Sequence, residues 1–236
     1  MKHKHLLPGF ALDLTVVDPE DGLPWDFSKS GKREKARQMR RRQKPYLLIG
    51  SPACTAFTTW QALNEAKSTD PEAYRVAKKR ATAHIEFMIE MYREQLEDGH
   101  YFLHEHPRYA TSWQLKAMQD LMAMPGVQLA HGDQCQYGAE AKRGAFKGQP
   151  IMKPSGFLTN SLALHHALSR RCNGANGQCS RPGGGRHTLC SGRNAKDAAV
   201  YPRGLCRAMI KGTVEQLKLD NPPGGRILRC ASRRRR

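Results

Sequence analysis

The chain has 236 residues, with 39 Lys and Arg against 21 Asp and Glu, for a formal net charge of +18. That length holds one domain with a real core, and so basic a balance favours a polyanionic partner, nucleic acid before a membrane. No apolar run reaches bilayer length, Pro8-Gly9 interrupts the basic amino end before a signal sequence forms, and the seven cysteines lack a secreted framework, so a reducing nuclear or cytoplasmic compartment is expected.

In chain order, residues 9–18 read as a strand ending at Asp18, followed by acidic and Pro-rich turns that include Asp26. Residues 32–43 are rich in Lys, Arg and good helix formers and poor in apolar side chains. They predict a solvated helix that also offers a phosphate-facing surface. Residues 46–50 form an apolar run opened by Pro45 and closed by Gly-Ser-Pro, a buried strand entering a loop. From Pro71 to Asp98, Tyr74, Ala77, Ala81, Ile85, Met88, Tyr92 and Leu96 recur at spacings of three and four. They predict one amphipathic helix capped by Asp70, with core packing and no chemistry. Tyr101-Phe102-Leu103 then starts a short strand that ends in His104-Glu105-His106-Pro107. A helix over 112–124, a strand at 127–130, the apolar segment 157–160 and a helix over 161–171 follow.

This alternation predicts an α/β fold with a doubly wound, mostly parallel sheet over residues 9–170. Residues 171–236 form a basic, Gly- and Cys-rich extension. Within it, 173–194 reads as a loop or a disordered stretch, a short helix near 205–219 docks back on the body, and the Arg tail at 233–236 is disordered.

The chemistry concentrates in two places. Ser51-Pro52-Ala53-Cys54-Thr55 puts a thiol just past the carboxyl end of a strand, where open α/β sheets carry their sites. Glu105 follows the next helix-strand unit. Successive parallel strands joined by a crossover expose their carboxyl ends on one rim, so the thiol and the carboxyl group are expected to meet there. Such a pair suits addition to an electron-poor ring, the thiolate attacking while the acid holds a ring nitrogen. His104 and His106 share a strand face, but no third ligand stands at a useful spacing. Cys172, Cys179, His187 and Cys190 spell C-x6-C-x7-H-x2-C, without the tight pair of common zinc modules, so no metal is assigned. A cysteine hydrolase pairing Cys54 with a histidine such as His104 or His106 has no further local signature.

Gly50-Ser51-Pro52-Ala53-Cys54-Thr55-Ala56-Phe57-Thr58 resembles the catalytic loop of the cytosine carbon-5 DNA methyltransferases, written G-G-P-P-C-Q-G-F-S in that family. Glu105 is similar to the Glu of its E-N-V motif, and Cys135-Gln136-Tyr137-Gly138 to its A-D-Y-G segment. The S-P-x-C-T and H-E-H-P signatures also look like the divergent pieces embedded in retroelement polyproteins. The resemblance implies a Rossmann-like methyltransferase core that transfers a methyl group from S-adenosylmethionine to DNA. It implies Cys54 as the nucleophile on a flipped cytosine and Glu105 as the acid on its N3 edge. It further implies Asp18 and Asp26 against the cofactor, Ser51 and Pro52 shaping the loop on that side, Thr55 beside the base, and Arg143 and Lys153 as phosphate or target contacts. Ala53 replaces a proline, the Q-x-R-x-R pattern is absent as written, and no acidic Gly-rich cofactor loop is recognisable. The core is therefore expected to be incomplete. The rival expectation is a noncatalytic, basic nucleic-acid-binding domain derived from a mobile element.

Overall fold

A computed structural model describes residues 6–58, 61 and 70–222. In chain order its elements are α1 (Ser30–Gln43), β1 (Leu47–Gly50), α2 (Pro71–Glu97), β2 (Tyr101–Pro107), α3 (Lys116–Met122), β3 (Gln128–Asp133), β4 (Ile151–Met152), β5 (Pro154–Thr159), α4 (Leu162–Ala167), β6 (Thr188–Leu189), α5 (Gly192–Asp197) and α6 (Arg203–Asp220). The fold is α/β with a mixed sheet of order β1-β2-β5-β3. β1, β2 and β3 share one direction, and β5 runs against them between β2 and β3. An antiparallel neighbour needs no helical crossover, so β5 can follow a loop directly. A separate parallel pair joins β4 to β6.

Helices cover both faces of the main sheet. On one, Phe102 and Leu158 pack with Ile85 and Tyr92 of α2, with Met118 and Leu121 of α3, and with Trp113. On the other, Leu103 and Phe157 pack with Leu164 of α4 and with Leu205 and Met209 of α6. The helix expected near 205–219 thus docks on the body, and residues far into the extension belong to the same packed unit. The cap expected for α2 is present: the Asp70 carboxylate accepts from the Ala73 amide at 2.9 Å, and Pro71 opens the first turn. The stripe buries only from Ile85 onward. Ala77 and the neighbouring Lys78, Lys79 and Arg80 stand exposed.

Two local expectations are corrected. Residues 9–12 are irregular and 13–16 form a turn, and of the segment 9–18 only Val17 makes an isolated bridge, to Pro24. Asp13 closes a local turn by accepting from the Thr15 amide and hydroxyl, and Leu14 and Val17 stay exposed, so the alternation has no sheet to serve. The basic helix α1 is not simply solvated. Arg37 pairs with Glu90, Arg40 with Glu94 and Asp98, and Arg41 with Glu94, all along one face of α2. Lys32 and Lys35 clamp Asp18, and Lys32 and Arg40 are buried. Much of this positive charge is spent inside the chain. The Arg tail at 233–236 lies outside the described residues.

Candidate functional site

Period-two alternation sorts the polar end of β2 between two environments. His104 and His106 point with Phe102 toward α2 and Trp113. Glu105 points with Leu103 to the opposite face. The strand runs through all three residues to Pro107 and buries each of them. His104 Nδ1 lies 3.1 Å from the Tyr92 hydroxyl and His106 Nδ1 lies 2.6 Å from the Ser112 hydroxyl, while both Nε2 atoms are buried without a hydrogen bond. Burial holds both rings well below the usual histidine range, His106 down to about 4 although the Glu105 charge and the Pro52 and Ala53 carbonyls pull it up. They are neutral core histidines. Among the described residues no third Cys, His or acidic group joins them.

Glu105 is 3% exposed and surrounded by donors. Its Oε2 accepts from Ser51 Oγ at 2.9 Å and from the Tyr201 hydroxyl at 3.1 Å. Its Oε1 accepts from Ser155 Oγ at 2.8 Å and Gln134 Nε2 at 3.3 Å, and Lys153 Nζ stands 4.0 Å away. Four donors and a nearby cation suit a buried carboxylate. Gln134 Oε1 is buried with no partner, an acceptor still open in this cluster. Burial and the Glu105 charge push the Tyr201 phenol far above its ordinary value, so it stays a donor.

The cysteine loop is pinned from both ends. Ser51, directly after β1, bonds Glu105 of the adjacent parallel strand. Phe57 closes the 3-10 turn Thr55–Phe57 and is fully buried, in edge contact with His106. Cys54 hangs between these anchors, half-buried, at the turn's start; its carbonyl accepts from the Phe57 amide at 2.9 Å. Burial raises its thiol above the ordinary range; Lys153 pulls it down and Glu105 pushes it up. The basic surroundings therefore do not produce a resting thiolate. The neutral thiol dominates until a base or a substrate shifts it.

Gly50 explains the loop's approach to the core. A Cβ there would sit 1.9 Å from the Tyr92 hydroxyl and 2.5 Å from Met88 Cε, so any side chain at this position must displace one of them for β1 to end this close to α2.

The other residues singled out by sequence distribute unevenly. Lys153 stands 4.0 Å from Glu105, lowers the Cys54 thiol through its charge, and donates to the Ala198 carbonyl at 3.1 Å. Arg143 is instead exposed and forks onto Asp197 of α5. The Thr55 carbonyl accepts from Gln61, and the residue is exposed beside the thiol. The Pro52 carbonyl faces His106. Asp18 is 1% exposed; burial opposes its charge, but hydrogen bonds from Lys32, Lys35 and the Glu20 amide hold it far below the carboxylate range. Asp26 caps the turn at Ser28, accepting from its amide and hydroxyl. Sequence reasoning missed Ser155, Gln134 and Tyr201, for which no local motif gave a signal. A surface cleft of about 390 Å³ between Arg40, Arg41, Lys44, Glu94, Glu97 and Asp98 lies at the α1–α2 junction, remote from this chemistry. Comparison with protein-family models, curated proteins and solved structures finds no match to the chain.

Proposed function

We propose that this chain is a cytosine carbon-5 methyltransferase-like domain whose retained chemistry is the addition of Cys54 to a pyrimidine in nucleic acid, DNA foremost. The observation that carries the reading is the pinning of the cysteine loop to Glu105 through Ser51, at the carboxyl ends of adjacent parallel strands. In the reaction, the Cys54 proton passes to solvent and the thiolate bonds to carbon 6 of cytosine. The electron pair of the 5,6 double bond shifts through the adjacent C4–N3 double bond onto carbon 5 and N3, and a solvent proton relayed by Glu105 neutralises N3, which leaves carbon 5 nucleophilic. Glu105 holds the N3 and amino edge, and the open Gln134 Oε1 suits the amino donor. Reversal expels the thiolate and restores the ring. Base entry requires the Tyr201 phenol to leave Glu105 Oε2.

The methyl donor fits poorly among the described residues. Asp18 is consumed by Lys32 and Lys35, Asp26 by Ser28 and Ser51 by Glu105, and no Gly-rich turn follows a strand before β1. No methyl-transfer step is assigned to this chain. Exchange of the carbon-5 hydrogen tests the addition without any donor, because the adduct takes up a solvent proton at carbon 5 before it collapses. Duplex and single-stranded DNA carrying tritium at cytosine carbon 5 should release label with the native chain and not with Cys54→Ala. Release at background rates by folded native protein would overturn the reading.

The noncatalytic reading, a basic nucleic-acid-binding domain, draws on the net charge and on the exposed Lys78, Lys79 and Arg80 beyond the cysteine loop. It expects steeply salt-dependent binding that is indifferent to Cys54→Ala, with no tritium release.

A further inference from the structure

The C-x6-C-x7-H-x2-C string does not assemble as written. Cys190 packs against Ala139, Ala141 and Ile151, close enough to Cys54 for the two thiols to influence each other. Its place beside Cys172, Cys179 and His187 is taken by Cys135, from the 3-10 turn Gln134–Tyr137 that follows β3. The three sulfurs and one imidazole nitrogen all lie within 4.8 Å of one another. Cys172 Sγ is 3.9 Å from Cys179 Sγ and 3.6 Å from His187 Nε2, and all four side chains are buried or half-buried.

These spacings fit an ion at the centre. A tetrahedron with Zn–S bonds of about 2.3 Å and a Zn–N bond of about 2.0 Å has S···S edges of ~3.8 Å and S···N edges of ~3.5 Å. A disulfide would need sulfurs about 2.05 Å apart, and the cysteines are free. The surrounding groups serve thiolates: the Ser180 amide and hydroxyl point at Cys172 Sγ at 3.4 and 3.5 Å, and Gln136 Nε2 lies 3.6 Å from Cys179 Sγ and 3.8 Å from Cys135 Sγ.

The loop carrying three of the donors has little apolar burial of its own; polar contacts tie it, the Cys172 amide donating to Asp133 at 2.7 Å and Arg181 to the Gly148 carbonyl at 2.9 Å. Between Cys172 and His187 only Cys179 is buried, and Gly177, Gly183, Gly184 and Gly185 all take positive φ. A Cβ at Gly174 would meet the Gln178 carbonyl at 1.9 Å. Such a segment buries too little apolar surface to offset its own ordering, the situation in which metal binding supplies the folding free energy.

We propose that Cys135, Cys172, Cys179 and His187 form a structural zinc site that fastens the Gly-rich loop to the turn after β3. Three thiols give up their protons to solvent on binding, and four protein ligands fill the tetrahedron, leaving no open position for catalysis. The turn so fastened also carries Gln134, the donor to Glu105.

Elemental analysis of the full chain purified without chelator should find about one zinc per chain. After chelation, cobalt(II) should bind and give the visible d–d bands and sulfur-to-metal charge transfer of a tetrahedral thiolate site. Cys190→Ser should keep the metal, whereas Cys135→Ser and His187→Ala should lose it or weaken it at least about 10-fold. Cys135 is fully buried; should its variant not fold, the half-exposed His187 and the cobalt spectrum of the native chain decide. Native protein that holds no zinc and gives no tetrahedral cobalt spectrum would overturn the site. So would loss of metal on Cys190→Ser with retention on His187→Ala.

Discussion

Ser51 Oγ donates to Glu105 Oε2 at 2.9 Å, and that bond ties the cysteine loop to the neighbouring strand. Glu105 receives three further hydrogen bonds on its two oxygens, so truncating it strands several donors in a dry site. Glu105→Ala is expected to cost about 3 kcal/mol, read as a lower urea midpoint at unchanged slope. A loss below about 0.5 kcal/mol would mean that the carboxylate is far less buried than described.

The thiol should respond in opposite directions to its two charged neighbours. Lys153 lowers the Cys54 pKa and Glu105 raises it. Alkylation of Cys54 with iodoacetamide, followed residue by residue by mass spectrometry across pH, should therefore slow in Lys153→Met and quicken in Glu105→Gln. Shifts of the same sign in both variants would dissociate Cys54 from that pair.

Gly50 offers a packing test of the loop's origin. Gly50→Ala must displace the Tyr92 hydroxyl and Met88, and it is expected to cost about 1–3 kcal/mol by thermal or urea unfolding. Pairing it with Tyr92→Phe, which removes the nearest atom, should recover part of that loss.

The elements that could be read from sequence were those with a local cause. Asp70-Pro71 caps α2 because a carboxylate before a first-turn proline has that use in any context. The tie of the cysteine loop to Glu105 through Ser51 followed from chain order alone, since β1 and β2 are consecutive and parallel. The direction of β5 was not legible, because the run Phe157–Leu158 reads the same either way. His104, Glu105 and His106 read as a strand end because polar residues usually stop burial; here each finds a partner inside. The charged run of α1 read as solvated because its partners, Glu90, Glu94 and Asp98, sit on a different helix at i, i+4 spacing. That acidic stripe was the available signal. Cys135 could not be joined to Cys172 by spacing, because the two meet through the fold, where Asp133 at the end of β3 accepts from the Cys172 amide.

The neutral histidines of β2 set an acid limit. Unfolded imidazoles titrate near pH 6.5, whereas burial holds His106 off protonation to about 4 and keeps His104 well below its ordinary range. Between those values the unfolded chain binds more protons, so this stability is complete above pH 6.5 and is lost as the pH falls toward 4. His106 alone accounts for roughly 3 kcal/mol of that slope. His106→Asn, which keeps a partner for Ser112, should flatten the fall in urea midpoint between pH 7 and pH 5; an unchanged slope would contradict it.

Covalent capture on DNA tests the addition chemistry most directly. An oligonucleotide carrying 5-azacytosine accepts a thiolate at carbon 6, and protonation at N5 then holds the adduct without any methyl donor. The native chain should form a species that survives denaturing electrophoresis and maps to Cys54, and Cys54→Ala should form none. Folded native protein that yields no adduct, or an adduct equally strong in Cys54→Ala, would contradict a nucleophilic Cys54.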